Sequence, residues 1–142
     1  MVTVQQVYDI AIHLMDEQDE STGATSTIDT TEYKVRTISI LNSLIPGLYA
    51  YSGTYKTPTS GRGAPAQLYN DNYANPDFEQ IIPLDDVLSL SVLPYYLAAQ
   101  LVSVENEELA AWLKNHGREI FNDIRSKVPA AFEPISMPYG GF

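Results

Sequence analysis

The sequence contains no cysteine and few basic side chains, and these two shortages exclude several kinds of site. Without cysteine there are no disulfides and no thiolate metal ligands. Only 8 Lys and Arg side chains stand against 18 Asp and Glu side chains, so the formal net charge is -10. A protein that wraps tightly around nucleic acid needs basic side chains to displace the counterions of the phosphates. The composition therefore argues against tight nucleic-acid binding, but it is compatible with a surface past which DNA slides.

Long apolar runs and basic targeting segments are also missing. No apolar run approaches the roughly 20 residues that a helix needs to cross a bilayer. No Lys or Arg precedes Lys34, so we predict that there is no signal peptide. The 142 residues, of which 44% are hydrophobic and 18% charged, are typical of one globular domain with its own core.

Catalytic and metal-binding motifs are scarce as well. There are two histidines, no Glu-x-x-His or His-Glu-x-x-His motif and no nucleotide-binding glycine loop. The acidic stretch 16–29 lacks the ligand spacing of a calcium loop, and the nearest potential metal cluster is His13 with Asp16 and Glu17. We predict a packing role for His116. We therefore expect no catalytic residue, no metal and no cofactor, and a protein that is not an enzyme.

What the sequence does contain is apolar residues at helical spacing in four stretches. The first stretch spans residues 3–15, with Thr3 as its N-cap. The second begins at Thr30 or Thr31 and ends or bends at Pro46-Gly47. These patterns predict two amphipathic helices that precede the middle of the chain.

The third predicted helix follows Asp85 and is apolar on nearly all sides, so we expect it to be the buried centre of the fold. Pro94 lies in its middle and should kink or restart it, because proline removes a backbone donor and crowds the preceding turn. One buried face is expected to contain Val87, Leu90, Leu97 and Leu101.

The fourth predicted helix begins at Asn106 as an N-cap and continues to about residue 128. Gly117 falls one turn after Leu113, where a missing side chain would let another helix approach. A basic stripe lies opposite the apolar residues of this helix and consists of Lys114, Arg118 and Arg125.

Two segments do not show helical periodicity. Residues 53–82 form a long irregular loop, which we expect to project from the bundle as extended segments or as a hairpin. The last segment, PAAFEPISMPYGGF, has prolines and terminal glycines that exclude a helix, together with regularly placed apolar residues. The sequence thus predicts an all-α, four-helix bundle-like domain over residues 1–128 and an extended C-terminal tail over residues 129–142.

The order of these elements, and two stretches in particular, resemble a known family. The stretches are PLDDVLSLSVLPYYLAAQL and FEPI followed by YGG. Over nearly its whole length the chain resembles the head–tail connector (adaptor) proteins of long-tailed bacteriophages, and of prophages in Gram-positive bacteria. The loop 53–82 is the part that resembles them least.

The resemblance implies a structural virion protein of the phage neck. Connectors act in head completion after DNA packaging: they form a ring, usually a dodecamer, beneath the portal and extend the DNA channel. They join head to tail by offering a platform to the stopper or tail-completion protein. The implied partners are the portal, that protein and further copies of the chain, while DNA passes without specific binding and no membrane is involved. The implied location is the head–tail interface of the virion, and the host cytoplasm before assembly.

In connectors the C-terminal tail and a loop reach the portal or neighbouring subunits. The matching loop lies within residues 53–81, where no single contact can be transferred. The partner-binding residues implied in the tail of this chain are Phe132, Glu133, Pro134, Ile135, Tyr139, Gly140, Gly141 and Phe142.

Two other classes of function stay open at this point. One is a different phage neck or tail-completion protein, such as a stopper or tail terminator; these proteins are typically built on sheets. The other is a metal enzyme associated with DNA packaging, for which the sequence offers only the cluster near His13.

Overall fold

A computed structural model describes residues 1–16, 20–24, 30–49, 51, 67–70, 72 and 75–127. Within these ranges the chain forms no strand and five helices, namely α1 (Val4–Met15), α2 (Thr31–Tyr49), α3 (Asp86–Ser91), α4 (Leu93–Val102) and α5 (Glu107–Lys127). Because only Val92 separates α3 from α4, these two correspond to the single third helix that the sequence predicts. The prediction of a small, all-α, bundle-like domain is confirmed. The tail 129–142 and residues 53–66 of the loop lie outside the described residues.

The start of α1 is fixed by its own cap and by a distant part of the chain. The Thr3 hydroxyl accepts a hydrogen bond from the Gln6 backbone N–H at 3.3 Å, and the Gln6 side chain accepts one from the Thr3 N–H at 2.9 Å. This reciprocal pair is a capping box, and it confirms Thr3 as the N-cap. The next two amides, of Val4 and Gln5, donate to the carbonyls of Gln80 and Phe78, both at 2.9 Å. Distant carbonyls thus complete the cap.

The interruption at Val92 is a restart of the helix around Pro94. The Val92 N–H still donates to the Leu88 carbonyl at 3.1 Å, which ends α3. Pro94 then lies in the first turn of α4, where a backbone N–H would have no partner within the helix. The predicted restart is therefore confirmed.

The same interruption makes one part of the core prediction wrong. Leu97 and Leu101 are fully buried, but Val87 is 51% exposed and Leu90 42% exposed. A face of an α-helix continues only while the 3.6-residue period is unbroken, and the break at Val92 shifts α3 relative to α4. In α3 the inward residues are instead Leu88 and Ser89, whose hydroxyl donates to the Leu84 carbonyl at 3.4 Å.

The core is organised around α4, which contacts each of the other four helices. It is therefore the buried central helix of the bundle. Burying one such aliphatic side chain contributes roughly 1.5–3 kcal/mol to stability. The largest fully buried side chains among the described residues are Tyr8, Ile12, Ile38, Leu41, Ile45, Ile82, Leu84, Leu88, Leu93, Leu97, Leu101 and Leu113.

The two C-terminal helices, α4 and α5, pack closely against each other. Asn106 caps α5, since its side-chain oxygen accepts the Leu109 N–H at 3.0 Å. At Gly117 a β-carbon would lie 2.9 Å from the Tyr95 β-carbon and 3.0 Å from a ring carbon of Tyr96. The prediction that Gly117 permits close helix approach is confirmed.

Candidate protein-interaction surface

The eight partner-binding residues implied by the resemblance, from Phe132 to Phe142, all lie outside the described residues. The same holds for residues 53–66 of the predicted loop. A candidate site must therefore be built from the surface of the described helices and from the second half of the loop.

The second half of the loop packs onto the bundle, so the expectation that it projects is wrong for the part of it that is described. Asn42 of α2 holds Leu68 by two hydrogen bonds, accepting from its N–H at 2.9 Å and donating to its carbonyl at 3.1 Å. Leu68 and Phe78 are 7% and 5% exposed, and the Phe78 ring lies 5.0 Å from that of Tyr8. These side chains contribute apolar area to the core, which is the physical reason for the packing.

The described part of the loop also pairs with the N-terminus. Ile81 forms an isolated antiparallel bridge with Thr3, and the Ile82 N–H donates to the Val2 carbonyl at 2.8 Å. Between these anchors Tyr69 stays 73% exposed. This half of the loop is a structural element of the domain.

The surface of α5 has two exposed sides of opposite charge. Because each residue of an α-helix turns by about 100°, the two sides flank the buried face and lie about 150° apart. We call them the acidic flank and the basic flank. The acidic flank consists of Glu108, Trp112, His116, Glu119 and Asp123. The basic flank consists of Lys114, Arg118, Phe121 and Arg125, together with Tyr51, which follows α2.

The acidic flank has an ordered stack of rings at its centre. Trp112, 56% exposed, lies parallel to His116, with ring centroids 5.1 Å apart and an interplanar angle of 5°. His116 in turn lies 4.9 Å from the Tyr95 ring of α4. Its Nδ1 atom is 3.8 Å from a Glu119 oxygen, a distance that gives an ion pair when the imidazole is protonated. The predicted packing role of His116 is confirmed, and the stack holds Trp112 in place.

The basic flank is organised by aromatic rings as well. The Arg125 guanidinium lies 5.1 Å from the centroid of Tyr51 and 5.6 Å from that of Phe121, and these two rings meet edge to face at 5.1 Å. Such cation–π contacts orient the guanidinium without neutralising it. Lys114 and Arg118 are exposed, as the sequence predicts for the basic stripe.

Arg118 also affects a neighbouring ring of α4. Burial raises the pKa of the Tyr96 hydroxyl above its ordinary value, and the positive charge of Arg118 opposes that shift. The charge of the basic flank therefore acts on a side chain of α4.

Comparisons with models of protein families, with characterised proteins and with solved structures find no match to this chain. The connector family stays a resemblance. The charged and aromatic surface of α5 is thus the structural observation that bears most directly on function.

In the described part of the chain, no group of three or more His, Asp or Glu side chains could hold a metal ion. The cluster considered from the sequence includes Glu17, which lies outside the described residues. No described helix is long and apolar enough to span a bilayer.

The sequence reasoning identified the basic side chains of α5 but missed the acidic flank. Its signal is present in the spacing, since Glu108, Trp112, His116 and Glu119 recur at three and four residues. The contribution of Tyr51 could not be read from spacing, because 70 positions separate it from Phe121.

Proposed function

We propose that this protein is a head–tail connector (adaptor) of a long-tailed bacteriophage or prophage. It is a structural protein without catalytic activity or cofactor, assembled as a dodecameric ring beneath the portal. The ring extends the DNA channel and joins the head to the stopper or tail-completion protein. It resides at the head–tail interface of the virion, and in the host cytoplasm before assembly.

The observation that supports this proposal best is the surface of α5. A folded bundle with its core buried around α4 still exposes Trp112, Tyr51 and two arginines on ordered flanks. Trp, Tyr and Arg are the residue types that are enriched in protein–protein interfaces and in their energetic hot spots. A small helical domain with such a surface has the properties of an assembly component.

The net charge of -10 fits the same role. A channel through which DNA moves needs walls that repel phosphate, because attraction would hold the DNA in place. The charge equally favours a soluble subunit before assembly.

The secondary structure bears on the alternative neck proteins. Stoppers and tail terminators are typically built on sheets, whereas the described residues of this chain have five helices and a single isolated bridge. This favours a connector among the phage neck proteins. A metal enzyme associated with packaging is the weaker alternative, since its ligands would have to come from residues such as Glu17 that the sequence places in a polar loop.

The test of this function is attachment to the portal. We expect that purified protein mixed with the portal ring forms a complex whose mass, measured by light scattering, corresponds to the portal plus an integral set of connector copies. Heads from a phage or prophage that lacks the gene should fill with DNA but remain without tails. A protein that leaves the portal mass unchanged and is dispensable for joining would contradict the proposal.

A chain that ends at Val128 tests the role of the tail separately. Its helices should remain folded, because the four apolar stripes all precede this position. It should fail to attach to filled heads, because Phe132, Ile135 and Tyr139 carry apolar area whose burial is worth roughly 1.5–3 kcal/mol each. Circular dichroism checks the fold, and co-sedimentation with heads checks attachment. Full attachment of the shortened chain, or its unfolding, would show that the tail belongs to the domain's own core.

A further inference from the structure

The charges of α5 differ from those of the rest of the chain. Between Glu107 and Lys127 the sequence carries four acidic and four basic side chains, so this helix is neutral. The remaining residues carry the other 14 of the 18 acids and the other 4 of the 8 bases, and therefore the whole net charge of -10. Half of the bases of the chain are thus placed on the one helix that exposes two ordered flanks.

Most of the charges within α5 are also separated in space, except that Glu107 in its first turn lies on the side of the basic flank. Glu108 and Glu119, which are exposed, lie on the side of the Trp112 stack. Lys114 and Arg118, also exposed, lie on the other side of the buried face. The ion pair of His116 with Glu119 lies within a single flank.

We propose that the acidic flank of α5 in one copy of this protein binds the basic flank of α5 in the next copy. This inference rests on the proposed connector function for its biological role. It adds to that function the contact by which neighbouring copies close the ring. The partner that fits each flank is a second copy of the chain, because every copy carries both a negative and a positive flank.

The arrangement of the flanks also decides the symmetry of the contact. Because the flanks lie about 150° apart, a neighbouring copy covers one flank at a time, and a two-fold dimer through a single flank would make that flank face itself and bring like charges together. In a head-to-tail contact each flank faces the opposite one, and such contacts form a closed ring when the rotation between copies closes. The distant acidic residues oppose association only weakly, because salt screens charges beyond about 8 Å under physiological conditions.

The aromatic residues add apolar area and fixed geometry to this contact. Trp112 stacks on His116, which itself packs against Tyr95, and so presents an exposed ring against which basic side chains of the next copy pack. On the other flank the rings of Tyr51 and Phe121 keep Arg125 ordered before docking. Ordered side chains lose less conformational entropy when they bind.

A charge-swap experiment on the full chain tests the proposal. One variant combines Lys114→Glu with Arg118→Glu, so that both of its flanks are negative. The other combines Glu108→Lys with Glu119→Lys, so that both of its flanks are positive. We expect the wild type to associate in sedimentation velocity at about 0.15 M salt, where repulsion between distant acidic residues is screened, and this association to weaken about tenfold or more at about 0.5 M. Each variant alone should stay monomeric, and an equimolar mixture should associate again.

A matched control separates local from overall charge. The double variant Glu20→Lys with Glu32→Lys changes the net charge by the same amount as the reversal of the acidic flank, at exposed positions outside α5. It should associate like the wild type. Restoration by mixing cannot arise from misfolded variants, and circular dichroism of each variant confirms the helices.

Several results would overturn the proposal. One is a wild type that remains monomeric at the lower salt concentration up to about millimolar protein. The others are an equimolar mixture of the two charge-swap variants that fails to associate, and a control variant that loses association. Any one of these results refutes the contact. Retention of a monomeric wild type on immobilised DNA through Lys114 and Arg118 would make nucleic acid the occupant. Head attachment of the same variants distinguishes the two proposals. If variants with a reversed flank still form rings and attach to heads, the contact between flanks is refuted and the connector function is not. If association depends on the flanks but the protein does not bind the portal, the connector function is refuted and the contact is not.

Discussion

Replacing Gly117 by alanine tests the closest contact between α4 and α5. The added β-carbon would lie 2.9 Å from the β-carbon of Tyr95, a distance that real β-carbons essentially never show. Because the Tyr95 β-carbon is bonded to the backbone, a change of rotamer cannot relieve the contact, and α4 itself has to move. Gly47 in α2 is the matched control, since a β-carbon there meets nothing within 4 Å.

The two substitutions share one energetic effect and differ in another. Alanine is better than glycine within a helix by about 0.5–1 kcal/mol, because it loses less backbone entropy on folding. At Gly47 only this gain acts, so the free energy of unfolding should rise by about that amount. At Gly117 overpacking opposes it with about 1–3 kcal/mol. The Gly117→Ala variant should therefore be less stable than Gly47→Ala by about 1–3 kcal/mol, which corresponds to roughly 3–9 °C in the melting temperature of a chain of this size.

The measurement is urea unfolding followed by far-ultraviolet circular dichroism. It is made at low protein concentration and high salt, so that association between copies does not contribute to the free energy. The slope against urea should stay equal in both variants, which shows that the same surface is exposed on unfolding. If Gly117→Ala is stabilised as much as Gly47→Ala, α4 and α5 do not approach each other as closely as described.

Two further substitutions test the core and its dependence on pH. Leu97→Asp places a charge on the fully buried face of α4 and should cost several kcal/mol of a total free energy of unfolding of about 5–15 kcal/mol, giving insoluble or unfolded protein. The control Val87→Asp, at a position that is 51% exposed, should stay folded. A Leu97→Asp protein that is soluble and helical would contradict the central position of α4. Burial raises the pKa of the Tyr8 hydroxyl above its ordinary value of 10.0, so its contribution to stability is complete below pH 10.0 and is lost as the pH rises through the higher folded-state pKa. Alkaline unfolding should therefore shift to higher pH in Tyr8→Phe, and an unchanged transition would mean that Tyr8 does not control it.

Local chemistry explains which features the sequence predicted. Thr3 and Asn106 cap their helices because a short polar side chain next to the first turn can accept a free backbone N–H. Pro94 had to fall in a first turn, since it lacks the donor that the helix interior requires. These signals involve residues within four positions of each other, so one sequence is enough to read them.

Features that depend on distant parts of the chain could not be predicted in the same way. The exposure of Val87 and Leu90 follows from a shift of register at Val92, which the continuous apolar pattern conceals. Phe78 lies in a stretch without periodicity and is buried against partners from distant helices, Tyr8 of α1 and Lys34 of α2. The charges of both flanks can be read from the sequence, but the role proposed for them depends on a second copy of the chain.

The anchoring of the middle of the chain also affects how far its length can vary. Tyr51 is fixed by its edge-to-face contact with Phe121, and Leu68 by two hydrogen bonds with Asn42, so the chain between these positions joins two fixed points on one domain. The entropy of closing such a connection grows slowly with its length, by only about 0.6 kcal/mol for each doubling. A change in the number of residues between these two anchors therefore alters the closure entropy only slightly. The length of chain from position 51 to position 68 can thus vary while the ring contact of Tyr51 and the hydrogen bonds of Leu68 persist.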